Sequence, residues 1–502
     1  MTTDTELDMK DVELNEMDPE KQPMTSEDTG NGDAGSPVTE KNGSVKVKIP
    51  EEKESKFTGL SKEELLKVAG TPGWVRIRWA LLILFWLGWI GMLAGAVVII
   101  VQAPRCKPLP DMNWWNYGAL YQIGDVNSFT EGSGLEGLQT KIDDVGKLKV
   151  KGLIIGPIHA SSADKPEDLN LMEVSSDIGN LDQLKRVIQT AHKKSISVVL
   201  DLTPNYKGKD PWFSNSSVEQ VTDKVKSATD YWLEEGVDGI LLHGVDQINM
   251  DSFWTNMSDT IKNHTKDEKK RVLIGVTTLK SAEEVKKELN RTGVDLLLSR
   301  VLNHKAGVEI AQVVDGLYFD QNKLAWNIGD RVWGHLASIV TLLQVKLSQL
   351  LLFTLPGTPV FNYGDEIGLE DDLSSVNPTM VWLNGTEKEK DPSRSLLSFF
   401  KEVSELRGKE RSLQHGEYLL LSNSTSAMAY LRQWDQSDRY IVALNWHTNN
   451  SVTLQLTQKE LPEKATVVIS TDAKLAAHTS VKLADLTVEP LSAIMLKFPY
   501  TP

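Results

Sequence analysis

The 502-residue sequence predicts an α/β protein, in which a (β/α)8 TIM barrel is followed by an antiparallel β-sandwich. One transmembrane helix and a disordered tail are expected before the barrel. Three observations predict this order. Short apolar runs alternate with amphipathic stretches of helical length along the middle of the chain. Residues 79–101 contain no charged residue, and the first ~55 residues are acidic and polar.

The N-terminal tail, residues 1–73, is predicted to be largely disordered because its composition is acidic and poor in aromatic residues. A solvating tail is one interpretation. A docking or phosphorylation site among Thr25, Ser26 and Ser36 is the other. The net charge of −15 argues against nucleic acid as a partner, because phosphate binding requires a basic face.

The transmembrane segment with its flanks is predicted at residues 74–103, around the run "WALLILFWLGWIGMLAGAVVIIV". Its length is sufficient to cross a hydrocarbon core of about 30 Å. It lies too far from the N-terminus for a cleaved signal peptide. Gly88, Gly91 and Gly95 are spaced so that another helix could approach closely, and we expect them to form a packing face.

The orientation follows from the residues that flank the span. More Lys and Arg residues precede it than follow it, which favours a cytoplasmic N-terminus and a large extracellular domain, the type II topology. Most Asn-X-Ser/Thr triplets lie after the span, as expected for an extracellular glycoprotein. The candidate glycosylation sites there are Asn215, Asn256, Asn263, Asn290, Asn384, Asn423 and Asn449.

A short neck, residues 104–113, contains Cys106, the only cysteine of the chain. On the extracellular side this thiol would meet an oxidising environment without a partner in its own chain. An unpaired cysteine in that position predicts an intermolecular disulfide. An inert or lipidated thiol beside the membrane is the alternative.

The barrel is predicted over residues 114–408 and the β-sandwich over residues 409–502. Apolar runs such as "KGLIIGPI", "SVVLDLTP", "VDGILLH" and "RVLIGVTTL" are typical of strands that are covered on both faces. About eight strand–helix units fit a closed barrel better than an open sheet. No Gly-x-Gly-x-x-Gly turn follows a strand, so no dinucleotide cofactor is expected. The shorter alternating strands after the barrel favour a sandwich.

Four segments resemble the strands of α-amylase-type barrels: "WWNYGALYQIGDVNSF", "LKVKGLIIGPI", "VVLDLTPNY" and "LFTLPGTPVFNYGDEIGL". The inserted domain of amylases is absent after the third strand. Together with the preceding span, "GWIGMLAGAVVIIVQAPRC", the chain resembles the heavy-chain glycoproteins of heteromeric amino-acid transporters. The resemblance covers nearly the whole chain after the acidic tail.

The amylase resemblance implies an active site that has lost its chemistry. Retaining hydrolysis requires two carboxyl groups about 5 Å apart. The nucleophilic aspartate of amylases corresponds to His243 here, and the arginine two residues before it corresponds to Leu241. No acid follows the fifth strand, where Val276 stands. Asp201 matches the family pattern, whereas the residues implied to complete the degenerate site are Tyr206, in place of a histidine, and Asp330.

The sequence therefore predicts a non-enzymatic subunit with no catalytic residue, cofactor or metal site. The resemblance implies that Cys106 is disulfide-bonded to a multi-span light chain, such as an L-type exchanger or the cystine/glutamate exchanger. The heavy chain would bring that partner to the plasma membrane and stabilise it there. The resemblance also implies a link to integrin β subunits. A membrane-anchored glycosidase, or a glycan-binding protein that uses the degenerate cleft, is the alternative.

Overall fold

The structure is a computed structural model, and it describes residues 59, 61–103, 106–213, 218–265, 270–372, 375–383 and 391–501. The chain divides into two compact units, Met1–Ala103 and Pro104–Pro502. The alternatives predicted for Thr25, Ser26 and Ser36 lie outside the described residues. The domain boundaries given above remain predictions.

The first unit contains two helices, α1 (Lys62–Ala69) and α2 (Pro72–Gln102). Ser61 caps α1, since its hydroxyl accepts from the Glu64 N–H and the Glu64 carboxylate accepts from the Ser61 N–H. Pro72 occupies the first turn of α2, where its missing N–H is not needed. With 31 residues, α2 is the one helix in the described part of the chain that is long and apolar enough to cross a membrane.

The second unit begins with a closed barrel of eight parallel strands, in which the first strand pairs with the last. The barrel strands in chain order are β1 (Leu120–Ile123), β2 (Gly152–Ile155), β5 (Ser197–Asp201), β6 (Gly239–His243), β7 (Val272–Val276), β8 (Leu296–Leu298), β9 (Leu324–Trp326) and β10 (Thr358–Asn362). A hairpin, β3 (His159–Ser162) and β4 (Lys165–Val174), is inserted after β2.

Helices follow the barrel strands along the chain and cover the outside of the barrel. They are α3 (Val126–Phe129), α4 (Gly134–Gly146), α5 (Leu181–Lys193), α6 (Val218–Glu234), α7 (Asp251–Asn263), α8 (Ala282–Thr292), α9 (Gly307–Leu317), α10 (Leu336–Ile339), α11 (Val345–Thr354), α12 (Pro392–Lys409) and α13 (Arg411–His415). Their apolar faces join the outward-facing side chains of the strands in one large core.

The barrel interior is a separate apolar cluster. Alternate residues of each strand point inward, and all eight strands contribute to this cluster. Val199, Leu241 and Ile274 are examples, and each is fully buried. Trp115 also belongs to the cluster, and Trp114 packs against it. The interior is therefore a packed core and offers no passage through the barrel.

The C-terminal region consists of two antiparallel sheets. The six-stranded sheet has the order β11-β12-β13-β18-β15-β16, and β14 pairs with β17. These strands are β11 (Glu417–Asn423), β12 (Ala427–Gln433), β13 (Arg439–Asn445), β14 (Val452–Leu454), β15 (Lys464–Ser470), β16 (Ser480–Lys482), β17 (Leu486–Val488) and β18 (Ser492–Phe498). Both sheets contribute side chains to one apolar core, which is the arrangement of a sandwich.

Two buried arginines bond to carbonyl oxygens near α11 and β10, and Arg432 thereby ties the sandwich to the barrel. Arg432 on β12 donates to the Thr354 carbonyl at the end of α11, and Arg407 on α12 donates to the carbonyls of Leu355 and Gly357 before β10. Carbonyl oxygens that end a helix or precede a strand lack regular partners, and these guanidinium groups satisfy them.

The predicted fold class is confirmed: a closed parallel barrel, strand-rich C-terminal sheets and one apolar helix near the N-terminus. The sequence patterns did not indicate β9, which has three residues, or the β3–β4 hairpin. β8 also has three residues but lies in the apolar run "VDLLLS", whereas β9 directly follows the polar turn Tyr318–Lys323 and has no such run around it.

Candidate functional site

The residues predicted for the degenerate site meet at the carboxyl end of the barrel. Asp201, His243 and Val276 are the last residues of β5, β6 and β7. The strand register pairs His243 with Val276 and Asp201 with Leu241. Active sites of such barrels lie at this end, so the predicted residues occupy the position of an active site.

Leu241 and Val276 are part of the apolar interior. Leu241 is fully buried, and Val276 is 6% exposed. Both belong to the cluster that fills the barrel. The aliphatic side chains therefore complete the core and provide neither acid nor charge.

Asp201 is fully buried and contacts the side chains of three residues, Arg331, Thr203 and His243. Its Oδ2 accepts from Arg331 Nε at 3.1 Å, and its Oδ1 accepts from the Thr203 N–H at 2.9 Å. The Thr203 hydroxyl also donates to Oδ1. The His243 ring is close as well, with Nε2 at 3.5 Å from Oδ2. Both oxygens are thus engaged, and the carboxylate is not available to attack a substrate.

His243 is held by its backbone. Its N–H donates to the Thr203 hydroxyl at 3.1 Å, and its carbonyl accepts from Trp212 Nε1 at 2.8 Å. Burial lowers the pKa of the imidazole to about 3, and the charge of Arg331 acts in the same direction. The ring is therefore neutral at physiological pH. It cannot supply the negative charge that an oxocarbenium-like transition state requires.

Arg331 closes the mouth of the barrel. It follows β9, whereas its partner Asp201 ends β5, and these two strands lie opposite each other in the ring of eight. The Arg331 side chain also packs against the backbone at Gly124, where an added Cβ would lie 2.6 Å from its Cγ. The ion pair therefore spans the space in which a substrate of an active barrel would bind.

Asn205 and Tyr206 connect the loop after β5 to the β3–β4 hairpin. Asn205 Nδ2 donates to Asp164 Oδ1 at 2.9 Å, and the Asp164 N–H donates back to Asn205 Oδ1. The Tyr206 hydroxyl donates to the His159 carbonyl at 3.1 Å. These contacts give both residues a role in positioning a loop.

Asp330 caps a turn. Its Oδ1 accepts from the N–H groups of Val332 and Trp333 at 2.8 Å and 2.9 Å. Among the described residues, no group of three or more His, Cys, Asp and Glu side chains is placed to hold a metal ion. The side chains of Asp201, Asn205, Tyr206 and Asp330 thus bond to other side chains or to nearby backbone, whereas His243 Nε2 has no hydrogen-bond partner among the described residues.

Asp365 and Glu366 follow β10 and are both buried, but they face different partners. Asp365 accepts from the N–H groups of Leu336 and Asn362, each at 2.8 Å. Glu366 accepts from the Tyr121 hydroxyl at 2.9 Å. Burial raises the pKa of Asp365 to about 8 and that of Glu366 to about 7. The two carboxyl groups do not form a catalytic pair.

The remaining predicted residues lie outside the barrel mouth. Cys106 is exposed. Gly88, Gly91 and Gly95 lie on α2, and no described atom lies within 4 Å of a Cβ built at any of them. Five asparagines of glycosylation triplets are exposed: Asn256, Asn263, Asn290, Asn423 and Asn449. Asn215 and Asn384 lie outside the described residues.

Sequence reasoning missed the role of Arg331. Arg331 directly follows Asp330 in the segment "NIGDR", and 130 residues of the chain separate it from its partner Asp201. It also missed Thr203, whose hydroxyl links Asp201 to the His243 N–H. Only a search for partners of the buried aspartate could have suggested them.

Comparison with known proteins supports the barrel fold described above. The family described as solute carrier family 3 member 2 N-terminus matches residues 45–121, and the α-amylase catalytic domain matches residues 125–220. Among solved structures, an Anoxybacillus α-amylase has a TM-score of 0.61 at 18% identity, covering 77% of this chain and 99% of that one. This similarity concerns the fold alone.

The whole-chain relatives are more specific. The amino acid transporter heavy chain SLC3A2 of Rattus norvegicus is 42% identical over 537 residues, covering 100% of both chains. The heavy chain of the same name from Oryctolagus cuniculus is 43% identical over 539 residues, again covering 100% of both. The chain belongs to the SLC3A2 family of amino acid transporter heavy chains.

Proposed function

We propose that this chain is the heavy subunit of a heteromeric amino-acid transporter, a non-enzymatic type II membrane glycoprotein that holds a multi-span light chain at the plasma membrane. Its family membership supports the subunit role. The apolar helix α2 supports attachment to the membrane. Since residues 79–101 contain no charged side chain, one such span offers no polar path, and the transport route belongs to the partner.

The observation that carries the covalent part of this proposal is Cys106, an exposed thiol and the only cysteine of the chain. The next residue, Lys107, is anchored on the sandwich. Its N–H donates to Asp435 Oδ2 at 3.2 Å, and its Nζ lies 3.1 Å from Glu417 Oε1. Because its neighbour is held, the thiol has a restricted position, which lowers the entropy lost when a partner is linked.

Packing within the membrane is the second part of the proposal. Gly91 and Gly95 are four residues apart and therefore share a face of α2, with Gly88 one turn earlier. The space around these glycines is open in the described structure. Small residues let two helix backbones approach closely, so this face suits a helix of the light chain.

The orientation and the lack of chemistry complete the proposal. Exposed asparagines in glycosylation triplets support an extracellular barrel and sandwich. The engaged Asp201, the neutral His243 and the apolar Leu241 and Val276 support a protein without hydrolase activity. The integrin link belongs to the same proposal and is assigned to the span and the cytoplasmic tail.

Non-reducing electrophoresis of the full-length chain from cells tests the proposal. The wild type is expected to migrate as a heavier complex that reductant dissociates, and Cys106→Ser should migrate as the single chain. Glycosidase treatment should lower the apparent mass of both, because the barrel is extracellular.

Lys107→Ala is the matched control, since it removes the neighbouring ion pair and keeps the thiol. It should retain the heavier band. A wild type that runs as a single chain under non-reducing conditions contradicts the disulfide. Mass spectrometry of the excised band identifies the light chain.

A further inference from the structure

A cavity of about 280 Å³ lies between the barrel and the sandwich, and it shares no lining residue with the pocket at the barrel mouth. The barrel contributes Ala306 and Glu309 at the start of α9, Val340 after α10 and Leu351 on α11, and the sandwich contributes Trp446 after β13. We call this space the joint cavity. Pockets for drug-sized ligands measure about 300–1,000 Å³, so the joint cavity suits a single ring.

The joint cavity combines apolar walls with a few polar groups. Lys305 and Glu309 line it with opposite charges, and Lys305 Nζ already donates to the Lys280 carbonyl at 3.0 Å. A neutral ligand with an apolar face and a polar edge therefore matches this lining better than an ion does. The aliphatic lining residues are Leu302, Ile310, Ile328, Ile339, Val340 and Leu351.

The turn that joins β11 to β12 contacts two sides of the joint cavity. The Val308 N–H donates to the Ser424 carbonyl at 2.7 Å, and Val308 stands between two lining residues on α9. The Trp446 N–H donates to the Ser426 carbonyl at 2.7 Å. Asn423, the last residue of β11, therefore stands beside the joint cavity.

The side chain of Asn423 lies on the same face of the sheet as that of Trp446. Asn423 pairs with Met428 on β12, and Met428 pairs with Leu444 on β13. Paired residues project to one face, and both Met428 and Leu444 belong to the core that the sandwich shares with the barrel. Trp446 follows Leu444 by two residues and packs against that core. The spacing of strands and residues places the Cα atoms of Asn423 and Trp446 about 12 Å apart.

Asn423 can carry a ligand of the required kind. It is exposed, and it begins the triplet Asn-Ser-Thr, an acceptor of N-glycans. The core of an N-glycan starts with two N-acetylglucosamine units. Each unit is a neutral ring with an apolar face of C–H groups and with hydroxyl groups at its edge, and the joint cavity offers surfaces that match both.

We propose that the joint cavity holds a core N-acetylglucosamine ring of an N-glycan on Asn423, with the apolar face of the sugar against Trp446. A single sugar ring makes few contacts, so as a free ligand it binds weakly. Attachment to Asn423 makes the encounter intramolecular and raises the effective concentration of the ring at the cavity. The glycan bridges the sandwich and the barrel in this arrangement.

Cellular enzymes make the covalent bond. Asn423 Nδ2 loses a proton and bonds to C1 of the first sugar, and the lipid pyrophosphate that carried the oligosaccharide leaves. This assignment rests on the proposed extracellular orientation, because N-glycans are added in the secretory pathway.

Release of glycans from the folded, full-length chain tests the proposal. The chain is produced in glycosylating cells and treated with peptide N-glycosidase F, which converts each released asparagine to aspartate, and peptide mass spectrometry measures the conversion. Asn423 should carry a glycan. Its release should be about tenfold slower than release from Asn256, an exposed residue on α7, because the docked core is protected from the enzyme.

Two variants locate the protected sugar. Trp446→Leu removes the ring and keeps an apolar side chain, and it should accelerate release at Asn423 about tenfold without changing release at Asn256. Val340→Trp fills the joint cavity from the barrel side and should have the same effect. Val381→Trp adds the same ring at an exposed position outside the joint cavity and should leave both rates unchanged.

Three results would overturn the proposal: an unmodified Asn423 in a chain that carries glycan at another triplet, equal release rates at Asn423 in the wild type and Val340→Trp, or acceleration at Asn449 in place of Asn423. Thermal unfolding verifies that each variant is folded, and Val340→Trp decides the question should Trp446→Leu fail to fold. A chain without glycan at every triplet after the span contradicts the extracellular orientation itself, and with it this assignment, so the two failures are distinguishable.

Discussion

Two regions of the same barrel differ in the partners of their buried carboxyl groups. At the mouth, Asp201, Thr203, His243 and Arg331 bond to or contact one another, and we call these four residues the mouth network. After β10, the buried Glu366 accepts from the neutral Tyr121 hydroxyl, and its other oxygen has no described hydrogen-bond partner.

The difference shows that position in a fold does not establish availability for chemistry. The mouth network occupies the place of an active site, but its carboxylate is neutralised by an arginine from the opposite side of the barrel. Each region also contains one buried atom without a described hydrogen-bond partner, Nε2 of His243 and Oε2 of Glu366. The contacts of a buried carboxylate therefore indicate its availability better than its position at a strand end does.

Asp201→Ala should have the largest effect on the mouth network. It would leave the buried guanidinium of Arg331 without its counter-charge, and we expect a loss of about 3–5 kcal/mol in the free energy of unfolding. Urea denaturation measures this value. Asp177→Ala, which removes an exposed carboxylate near the mouth, is the control and should change stability by less than about 0.5 kcal/mol. A loss below about 1 kcal/mol for Asp201→Ala would contradict the assigned ion pair.

Glu366 should make the free energy of unfolding depend on pH, and Glu366→Gln should remove this dependence. Burial raises the pKa of the folded-state carboxyl from 4.5 to about 7, so its contribution to stability is fully present below pH 4.5 and is lost as the pH rises through about 7. Relative to the variant, the wild type should lose on the order of 3 kcal/mol across that interval. Denaturation at a series of pH values measures the difference.

The mouth network should show the opposite slope. Burial lowers the pKa of His243 from 6.5 to about 3, so its contribution to stability is present above pH 6.5 and is lost as the pH falls towards 3.

For Glu366, a difference in unfolding free energy between wild type and Glu366→Gln that stays constant from pH 4.5 to pH 8 would exclude a buried, titrating carboxyl group.

His243→Asp should have the smallest effect on activity. It restores the residue type expected of the nucleophile, but Val276 supplies no acid, Leu241 supplies no positive charge, and Arg331 still spans the mouth. Hydrolysis of 4-nitrophenyl α-glucoside should remain at the rate of the buffer blank. Circular dichroism confirms that the variant is folded. Measurable turnover by the folded variant would mean that the mouth is accessible to sugars.

Much of the fold could be predicted because its signals are local. The uncharged run of residues 79–101 predicted α2, and apolar runs between amphipathic stretches predicted the barrel. The strand β9 escaped detection because it lacks the apolar run that surrounds the equally short β8. In the candidate site, the residue types of His243, Leu241 and Val276 predict the loss of hydrolysis, and this remains a prediction.

The sequence by itself determined which chemical groups this chain possesses: one cysteine, one long uncharged apolar run, and the residue types at positions 241, 243 and 276. Only the tertiary structure decided which of its groups are engaged. Arg331 meets Asp201, and Tyr121 meets Glu366, across separations of 130 and 245 residues. Burial and long-range contacts set both the pKa of a carboxyl group and its freedom to bind, and neither is encoded in local periodicity.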